Sequence, residues 1–235
     1  MGMSYFDTLE TKRKHVKTYS DKVPEKELIE RALWKAWKTS PSKNNAMAYQ
    51  ALVWGPEKEI HKEAIHSLVV KNHADVEDKA VKDGQSTKTQ GAKLGKYENP
   101  YYRHIKENPY LITLHSRLST PNDYYKRQVE TGHFYDQGSK DHMEHIIDSV
   151  AVEVGIFVAN LTNYLLEEGL DISYNSCFKR RPEDWHKVGL NMIDTRPIVM
   201  ISCGYAERYR REDLKHLKVE HEDIKPQMKD IIKWM

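Results

Sequence analysis

The longest apolar stretch of the chain, from residue 146 to residue 166, predicts a helix that is largely buried. Its stripe of large apolar residues at spacings of three and four consists of Ile146, Ile147, Val150, Val154, Phe157, Val158, Leu161 and Leu165. The residues that widen this stripe are Ala151, Ile156, Ala159 and Leu166. Such a helix needs cover from other elements or from a second subunit, and Gly169 is suited to end it. Glu153 and Asn160 near the centre argue against a membrane span.

The rest of the pattern mixes helices and short strands, and it predicts one α+β domain in which helices cover a small sheet. Further helices are predicted at residues 4–15, 24–39 (beginning at Pro24) and 56–81, and from Pro182 onward. Their apolar faces are Leu28, Ile29, Ala32, Leu33, Ala36 and Trp37 in the second, and Ile60, Ala64, Ile65, Leu68 and Val69 in the third. Strands are predicted at 49–55, 110–114, 171–178 and 197–204, and variable loops near 82–103 and 117–138.

Composition narrows the class of protein. Lys and Arg number 37 against 35 Asp and Glu in 235 residues, a net charge of +2, so the charge balance calls for neither a nucleic-acid nor an anionic-membrane partner. Cys177 and Cys203 lie in apolar, strand-like segments without a CxxC motif, which predicts buried thiols in a reducing compartment. The N-terminal residues have no apolar signal core. We expect a cytoplasmic protein.

Several kinds of active site are not supported. His142 and His145 lie one helical turn apart, but the pair lacks an identifiable third metal ligand, so no metal site is predicted. The sequence has no GxSxG nucleophile motif, no GxGxxG after a strand and no GxxxxGK[ST] phosphate loop.

Two cationic segments stand out instead. The first runs from Lys12 to His15 with Lys17 beyond it, and the second contains Arg208, Arg210 and Arg211 directly after the strand that ends at Gly204. Each is either a solvated surface patch or part of a phosphate site.

Four pieces of the sequence, in this order, resemble the FMN-dependent nitroreductase family. The residues in register with the family's R-x-S-x-[RK]-x-[FY] segment are Arg13, Lys14, His15, Lys17 and Tyr19. Those in register with its P-S-x-x-N-x-Q-P-W signature are Pro41, Ser42, Lys43, Asn44, Asn45, Ala46 and Met47. The segment GLDISYNSCF at 169–178 and the closing strand PIVMISCGY also fit. His15 stands where the family has a small hydroxyl residue, and Met47 where it has Gln.

The resemblance implies a cofactor and a set of residues that hold it. Cations from both segments, Arg13, Lys14, His15 and one or two of Arg208, Arg210 and Arg211, would bind the FMN phosphate. Lys17 would lie at the pyrimidine edge of the flavin. The backbone of Tyr174, Asn175, Ser176 and Cys177 would pass the flavin, with the N–H of Ser176 or Cys177 directed at N5. The signature residues Pro41, Ser42, Lys43 and Asn45 would reach the flavin of a partner subunit.

The resemblance also implies a nitroreductase-like sandwich that forms an intertwined homodimer, with the tail at 213–235 packed on the partner. NAD(P)H would reduce the flavin, and an electron-poor small molecule such as a nitroaromatic or quinone would then be reduced in a ping-pong reaction. No side-chain acid or base is required, and neither nucleic acid nor membrane is an expected partner.

Two alternatives remain open. One is a non-enzymatic dimeric module that binds a phosphorylated ligand or nucleic acid through its cationic segments. The other keeps the fold and FMN but uses them for dehalogenation or ring breakdown, since His15 and Met47 depart from the reductase pattern.

Overall fold

The computed structural model describes residues 16–42, 47–69, 104–116, 140–190, 196–209 and 231–232, with the backbone alone for Lys17, His104 and residues 140–149. The helices of this part are α1 (Lys26–Thr39), α2 (Glu59–His66), α3 (His104–Glu107), α4 (Lys140–Glu167) and α5 (Pro182–Lys187), with a 3₁₀ turn at Pro56–Lys58. The strands are β1 (Val16–Tyr19), β2 (Tyr49–Trp54), β3 (Tyr110–Ser116), β4 (Asp171–Asn175), β5 (Pro197–Gly204) and β6 (Ala206–Tyr209).

Four strands form an antiparallel sheet in the order β2-β3-β5-β4. The central strand β3 pairs through Ile112 with Val53 of β2 and with Ile201 of β5. Alternate residues of β3 face opposite layers: Ile112 and Leu114 pack in a core with α1 and α4, whereas Leu111 packs in a core with α2 and α5. The predicted α+β sandwich, with helices on a small antiparallel sheet, is confirmed.

Helix α4 supplies the largest share of the first core, and the prediction for this stretch is confirmed. Its buried apolar residues include Val150, Val154, Phe157, Val158, Leu161 and Leu165. The helix ends at a glycine in the left-handed region, Gly169 with φ +79°. The N–H of Gly169 bonds to the Leu166 carbonyl at 3.1 Å and that of Leu170 to the Leu165 carbonyl at 2.9 Å. These two bonds satisfy carbonyls that a helix end otherwise leaves without partners.

By length and composition, Val150–Glu167 is the one segment of the described chain that could cross a membrane. The core helix of a globular protein meets the same criterion. Here Val154, Phe157 and Leu161 pack against the sheet, which is the arrangement of a core helix.

The second core contains a buried polar chain. The indole Nε1–H of Trp54 donates to Thr113 Oγ1 at 3.2 Å, and this hydroxyl lies 2.8 Å from Nε2 of His115. The His115 ring stands edge-on to Trp185 with a centroid distance of 5.1 Å. Burial disfavours the charged imidazolium and lowers the pKa of His115 to about 4. His115 is therefore a neutral member of the core at physiological pH.

Some residues predicted to be buried are exposed. Trp37 is 53% exposed and Ile60 83% exposed, because the buried stripe of α1 is centred on Ala32 and Ala36 and that of α2 on Ile65. On α4, the residues predicted to widen the stripe, Ala151, Ile156 and Ala159, lie on the exposed side, whereas Leu166 is buried. One face of α4 therefore has no cover within the described chain.

Other differences concern where elements begin and end. Helix α1 starts after Pro24, at Lys26, and α2 ends at His66, whereas the helix was predicted to continue; its predicted residues 70–81 lie outside the described residues. Cys177 is exposed, against the prediction of a buried thiol, because β4 already ends at Asn175; Cys203 is buried as predicted.

The segment that contains Arg208 begins as a strand, β6, which pairs with β1 in a second sheet. Both strands are short and polar, so the sequence pattern predicted neither. The predicted helix at 4–15 and the loops at 82–103 and 117–138 lie outside the described residues, as does all of the tail at 213–235 except residues 231–232.

Candidate functional site

The two cationic segments adjoin paired strands. β1 and β6 are antiparallel, with Val16 opposite Tyr209 and Thr18 opposite Arg208. The chain therefore enters β1 and leaves β6 at the same end of this two-stranded sheet. Residues 13–15 directly precede that end and residues 210–211 directly follow it, although Arg13, Lys14, His15, Arg210 and Arg211 themselves lie outside the described residues. Lys17 lies within β1, and the Arg208 side chain is exposed on β6.

Hydrogen bonds tie this two-stranded sheet to the main sheet. The hydroxyl of Tyr19 donates to the Ser202 carbonyl at 2.8 Å. At the other strand, Asp171 at the start of β4 accepts from the Ala206 N–H at 3.2 Å and from the Tyr209 hydroxyl at 3.0 Å. Asp171 thus links the main sheet to both ends of β6. Sequence reasoning did not identify this residue.

Close packing at Gly204 fixes the path of the chain between β5 and β6. A Cβ atom at this position would lie 2.8 Å from Pro109 Cδ and 3.0 Å from Tyr19 Cδ1. Tyr19 is itself buried, and desolvation raises the pKa of its hydroxyl well above the ordinary value. The junction of the two sheets is therefore rigid and leaves no room for a larger residue than glycine.

The segment after β4 is held by its own side chains. Asn175 is buried, and its Oδ1 accepts from the Cys177 N–H at 2.9 Å. The side-chain hydroxyl of Tyr174 bonds to Thr162 of α4. Ser176 and Cys177 are exposed, and Arg180 donates to the Ser176 carbonyl at 3.2 Å. Because the Cys177 N–H is already engaged, the Ser176 N–H is the better candidate donor to a ligand.

The turn that carries the Pro41–Ser42 pair is fastened to α4. Ser42 donates to Glu153 Oε2 at 2.8 Å, and the Met47 N–H donates to Ser42 Oγ at 2.8 Å. Met47 has φ 46°, a left-handed conformation that is uncommon for a residue other than glycine. Further along α4, the side-chain amide of Asn160 donates to Ser40 Oγ at 3.0 Å. The remaining predicted residues of this turn, Lys43 and Asn45, lie outside the described residues.

Glu153, which accepts the hydrogen bond from Ser42, was given no role from the sequence. Its signal was visible, since it is the only charge in the central turns of an apolar helix. The partner that gives this charge a function, Ser42, is far away in sequence.

The metal hypothesis gains no support. Within the described residues, no three His, Cys, Asp or Glu side chains are grouped so that they could hold a metal ion. The side chains of His142 and His145 are not among those described.

Comparisons with known proteins give the family and the fold of the chain. The model of the nitroreductase family matches residues 11–205. No curated protein sequence matches the chain. Among solved structures, a nitroreductase family protein from Streptococcus pneumoniae is 17% identical with a TM-score of 0.60, covering 98% of this chain and 100% of that one.

Two further structures share the fold. One is a protein from Exiguobacterium sibiricum, assigned as a nitroreductase and solved in complex with FMN, with 14% identity, a TM-score of 0.61, and coverage of 100% of this chain and 99% of that one. The other, from Staphylococcus epidermidis and assigned as an NAD(P)H:FMN oxidoreductase, has 13% identity, a TM-score of 0.62, and coverage of 99% and 96%. At these identities, the TM-scores show a shared fold.

The fold and the family model together define the class of this protein: an α+β oxidoreductase built on the nitroreductase sandwich. The chain belongs to the nitroreductase family, since the family model spans most of its length.

Proposed function

We propose that this chain is an FMN-dependent oxidoreductase that passes electrons from NAD(P)H to an electron-poor small molecule, such as a nitroaromatic or a quinone. The observation that carries the proposal is the pairing of β1 with β6, with Thr18 opposite Arg208. The two cationic segments adjoin these strands in sequence, so the pairing supports a common phosphate site at this end of the small sheet.

The donors at this end fit the phosphate of FMN. A phosphate dianion is bound best by guanidinium and ammonium groups, which form charge-assisted hydrogen bonds to its oxygens. Arg208 lies on β6, and the chain segments with Arg13, Lys14, His15 and Arg211 directly adjoin the paired strands. These residues are the proposed phosphate ligands.

The proposed contacts to the flavin ring come from the neighbouring strands. β1, which carries Lys17, lies against β4, which ends at Asn175. The ammonium of Lys17 would stabilise negative charge at the pyrimidine edge, and the Ser176 N–H would donate to N5. When bound, FMN accepts a hydride from NAD(P)H and passes electrons on to the second substrate, so the reaction is ping-pong. The protein binds and orients both substrates in turn at one face.

We also propose a cytoplasmic homodimer with one FMN-binding domain per chain, spanning residues 1–235. The uncovered face of α4 supports the dimer: Val152 is 64% and Ile156 37% exposed, and Gly155 has open space beside it. Small residues allow a second helix to approach closely, and the twin of α4 in another copy has the complementary face. In the dimer, the Pro41–Ser42 turn would reach the flavin of the partner, the loops near 82–103 and 117–138 would shape substrate choice, and the tail at 213–235 would lie on the partner.

Purified protein tests the proposed function directly. We expect flavin absorbance in the isolated or FMN-reconstituted protein, and loss of that absorbance on anaerobic addition of NADH or NADPH. Reoxidation by a panel of nitroaromatics, quinones and halophenols then separates a reductase from a dehalogenase. A protein that stays colourless after reconstitution with FMN and binds an oligonucleotide would contradict the proposal.

Arg13→Ala is expected to weaken FMN binding by about 1.5–3 kcal/mol, the worth of one hydrogen bond to a charged group. Titration of flavin fluorescence against the apoprotein measures the change. Arg31→Ala is the matched control, because Arg31 is an exposed arginine on α1, outside both cationic segments, and pairs with Glu168 at 3.6 Å. Equal FMN affinity in Arg13→Ala and wild type would count against the phosphate site.

Val152→Arg is expected to convert the dimer to a monomer. An arginine buried without a partner in each copy costs at least about 3 kcal/mol, and the interface would contain two of them. Light scattering after size-exclusion chromatography gives the mass. Ile60→Arg is the control on α2, where the replaced side chain is also exposed, at 83%. A Val152→Arg protein that keeps the wild-type dimer mass would contradict an interface at α4.

A further inference from the structure

The hydroxyl of Ser42 is already committed within the chain. It donates its hydrogen to Glu153 Oε2 at 2.8 Å, and its oxygen accepts from the Met47 N–H at 2.8 Å. A serine hydroxyl has one hydrogen and two lone pairs. One lone pair is therefore left on Ser42, and the half-buried side chain leaves it open to a ligand.

These two hydrogen bonds limit the further bonds that Ser42 can form. With its hydrogen held by a carboxylate, Ser42 cannot donate to a carbonyl oxygen of a ligand and can only accept. The pyrimidine ring of oxidised flavin has two carbonyl oxygens and one N–H, at N3. Within the oxidised ring, N3–H is therefore the donor from which the remaining lone pair of Ser42 can accept.

The environment of Glu153 suits it to hold the Ser42 hydrogen. It is 9% exposed and lies among the apolar residues of α4, where a charged group is costly unless it is hydrogen-bonded. Its bond to Ser42 ties that residue to the helix. Since the Met47 N–H also bonds to Ser42, the one hydroxyl contacts both α4 and Met47, whose backbone is left-handed with φ 46°.

We infer that Glu153 is a positioning residue for the flavin ring: it takes the Ser42 hydrogen and thereby presents Ser42 as a hydrogen-bond acceptor to flavin N3–H. This inference rests on the proposed function, because it needs an FMN site at this turn. It adds a residue that does not touch the flavin but decides how Ser42 meets it.

The test measures FMN dissociation constants of apoprotein variants by flavin fluorescence. Glu153→Ala and Ser42→Ala should each weaken FMN binding at least about tenfold, as loss of a charge-assisted bond predicts. If Glu153 acts through Ser42, the double variant should be no weaker than the single ones. Glu153→Gln keeps an acceptor oxygen and should restore binding to near the wild-type value. Asn160→Ala is the control, because it removes the other bond from α4 to this part of the chain, at Ser40.

A second measurement tests the acceptor role. FMN methylated at N3 has no N3–H, so wild-type protein should prefer FMN over the methylated form, and Ser42→Ala should reduce that preference. Thermal unfolding of each apoprotein shows whether it is folded, and Ser42→Ala serves if Glu153→Ala does not fold.

The outcomes distinguish failure of the proposed function from failure of the role given to Glu153. If wild-type protein binds no FMN, the proposed function fails. If wild type binds FMN but Glu153→Ala and Ser42→Ala bind it equally well, or if their effects simply add, the proposed function stands and the role of Glu153 is overturned. An unchanged preference for FMN over its N3-methyl form in Ser42→Ala overturns the acceptor role.

Discussion

Replacing Asp171 with alanine should weaken FMN binding and destabilise the fold in one step. The Asp171 carboxylate accepts from the Ala206 N–H at 3.2 Å and from the Tyr209 hydroxyl at 3.0 Å, and both donors lie on β6. Each hydrogen bond to a charged group is worth about 1.5–3 kcal/mol. Without them β6 loses these two bonds to β4, so Arg208 is held less firmly opposite Thr18.

Urea unfolding of the apoprotein and FMN titration together measure this effect. We expect a loss of about 3 kcal/mol in unfolding free energy, allowing for non-additivity of the two bonds, and weaker FMN binding at a temperature where the variant is still folded. Asp184→Ala is the matched control, because Asp184 pairs at 3.7 Å with an exposed lysine, Lys187, and a surface ion pair contributes about 0–1 kcal/mol. An Asp171→Ala protein with wild-type stability would show that β6 is held by other contacts.

Acid should destabilise the protein through His115. The pKa of this histidine is lowered by burial to about 4, whereas an exposed histidine in the unfolded chain has the ordinary value of 6.5. Between these values the unfolded chain binds a proton that the folded chain does not. Stability is therefore highest above about pH 6.5 and falls as the pH drops toward 4. The separation corresponds to about 3 kcal/mol at about 1.4 kcal/mol per pH unit.

The contribution of His115 can be isolated by comparing how steeply the unfolding free energy falls with pH in two proteins. Unfolding free energy is measured from pH 7 to pH 4 for wild type and for His115→Gln, which has no titrating ring. The wild type should lose more stability than the variant over this range. His186→Gln, at an exposed position of α5, should follow the wild-type slope. Parallel curves for wild type and His115→Gln would contradict the assigned role.

The fold was predictable from the sequence where one element buries many residues at a regular spacing. The spacing of three and four from Val150 to Leu165 predicted α4, and the apolar run at 110–114 predicted β3, because a long or fully buried element leaves a strong pattern. β1 and β6 left no such pattern. Each has four residues, and their pairing depends on a partner at the far end of the chain.

The site was predictable only where a family motif exists. Ser42 and Ser176 were placed by resemblance, and the structure then showed which of their hydrogen-bonding groups are already used. Glu153 and Asp171 were not predicted, because their roles come from partners distant in sequence. A lone charge in an apolar helix was the one available signal, and it identified Glu153 as unusual without naming its partner.

The pairing of β1 with β6 also bears on when the protein can take up a cofactor during its synthesis. Val16 leaves the ribosome early, whereas Tyr209, opposite it, emerges only when nearly all of the domain has been translated. Contacts of such long range form late, since loop closure over the intervening chain precedes them. A nascent chain halted before residue 206 would have its first cationic segment but no strand to pair it with. Capture of FMN would then follow translation of β6, so flavin loading would report completion of the domain.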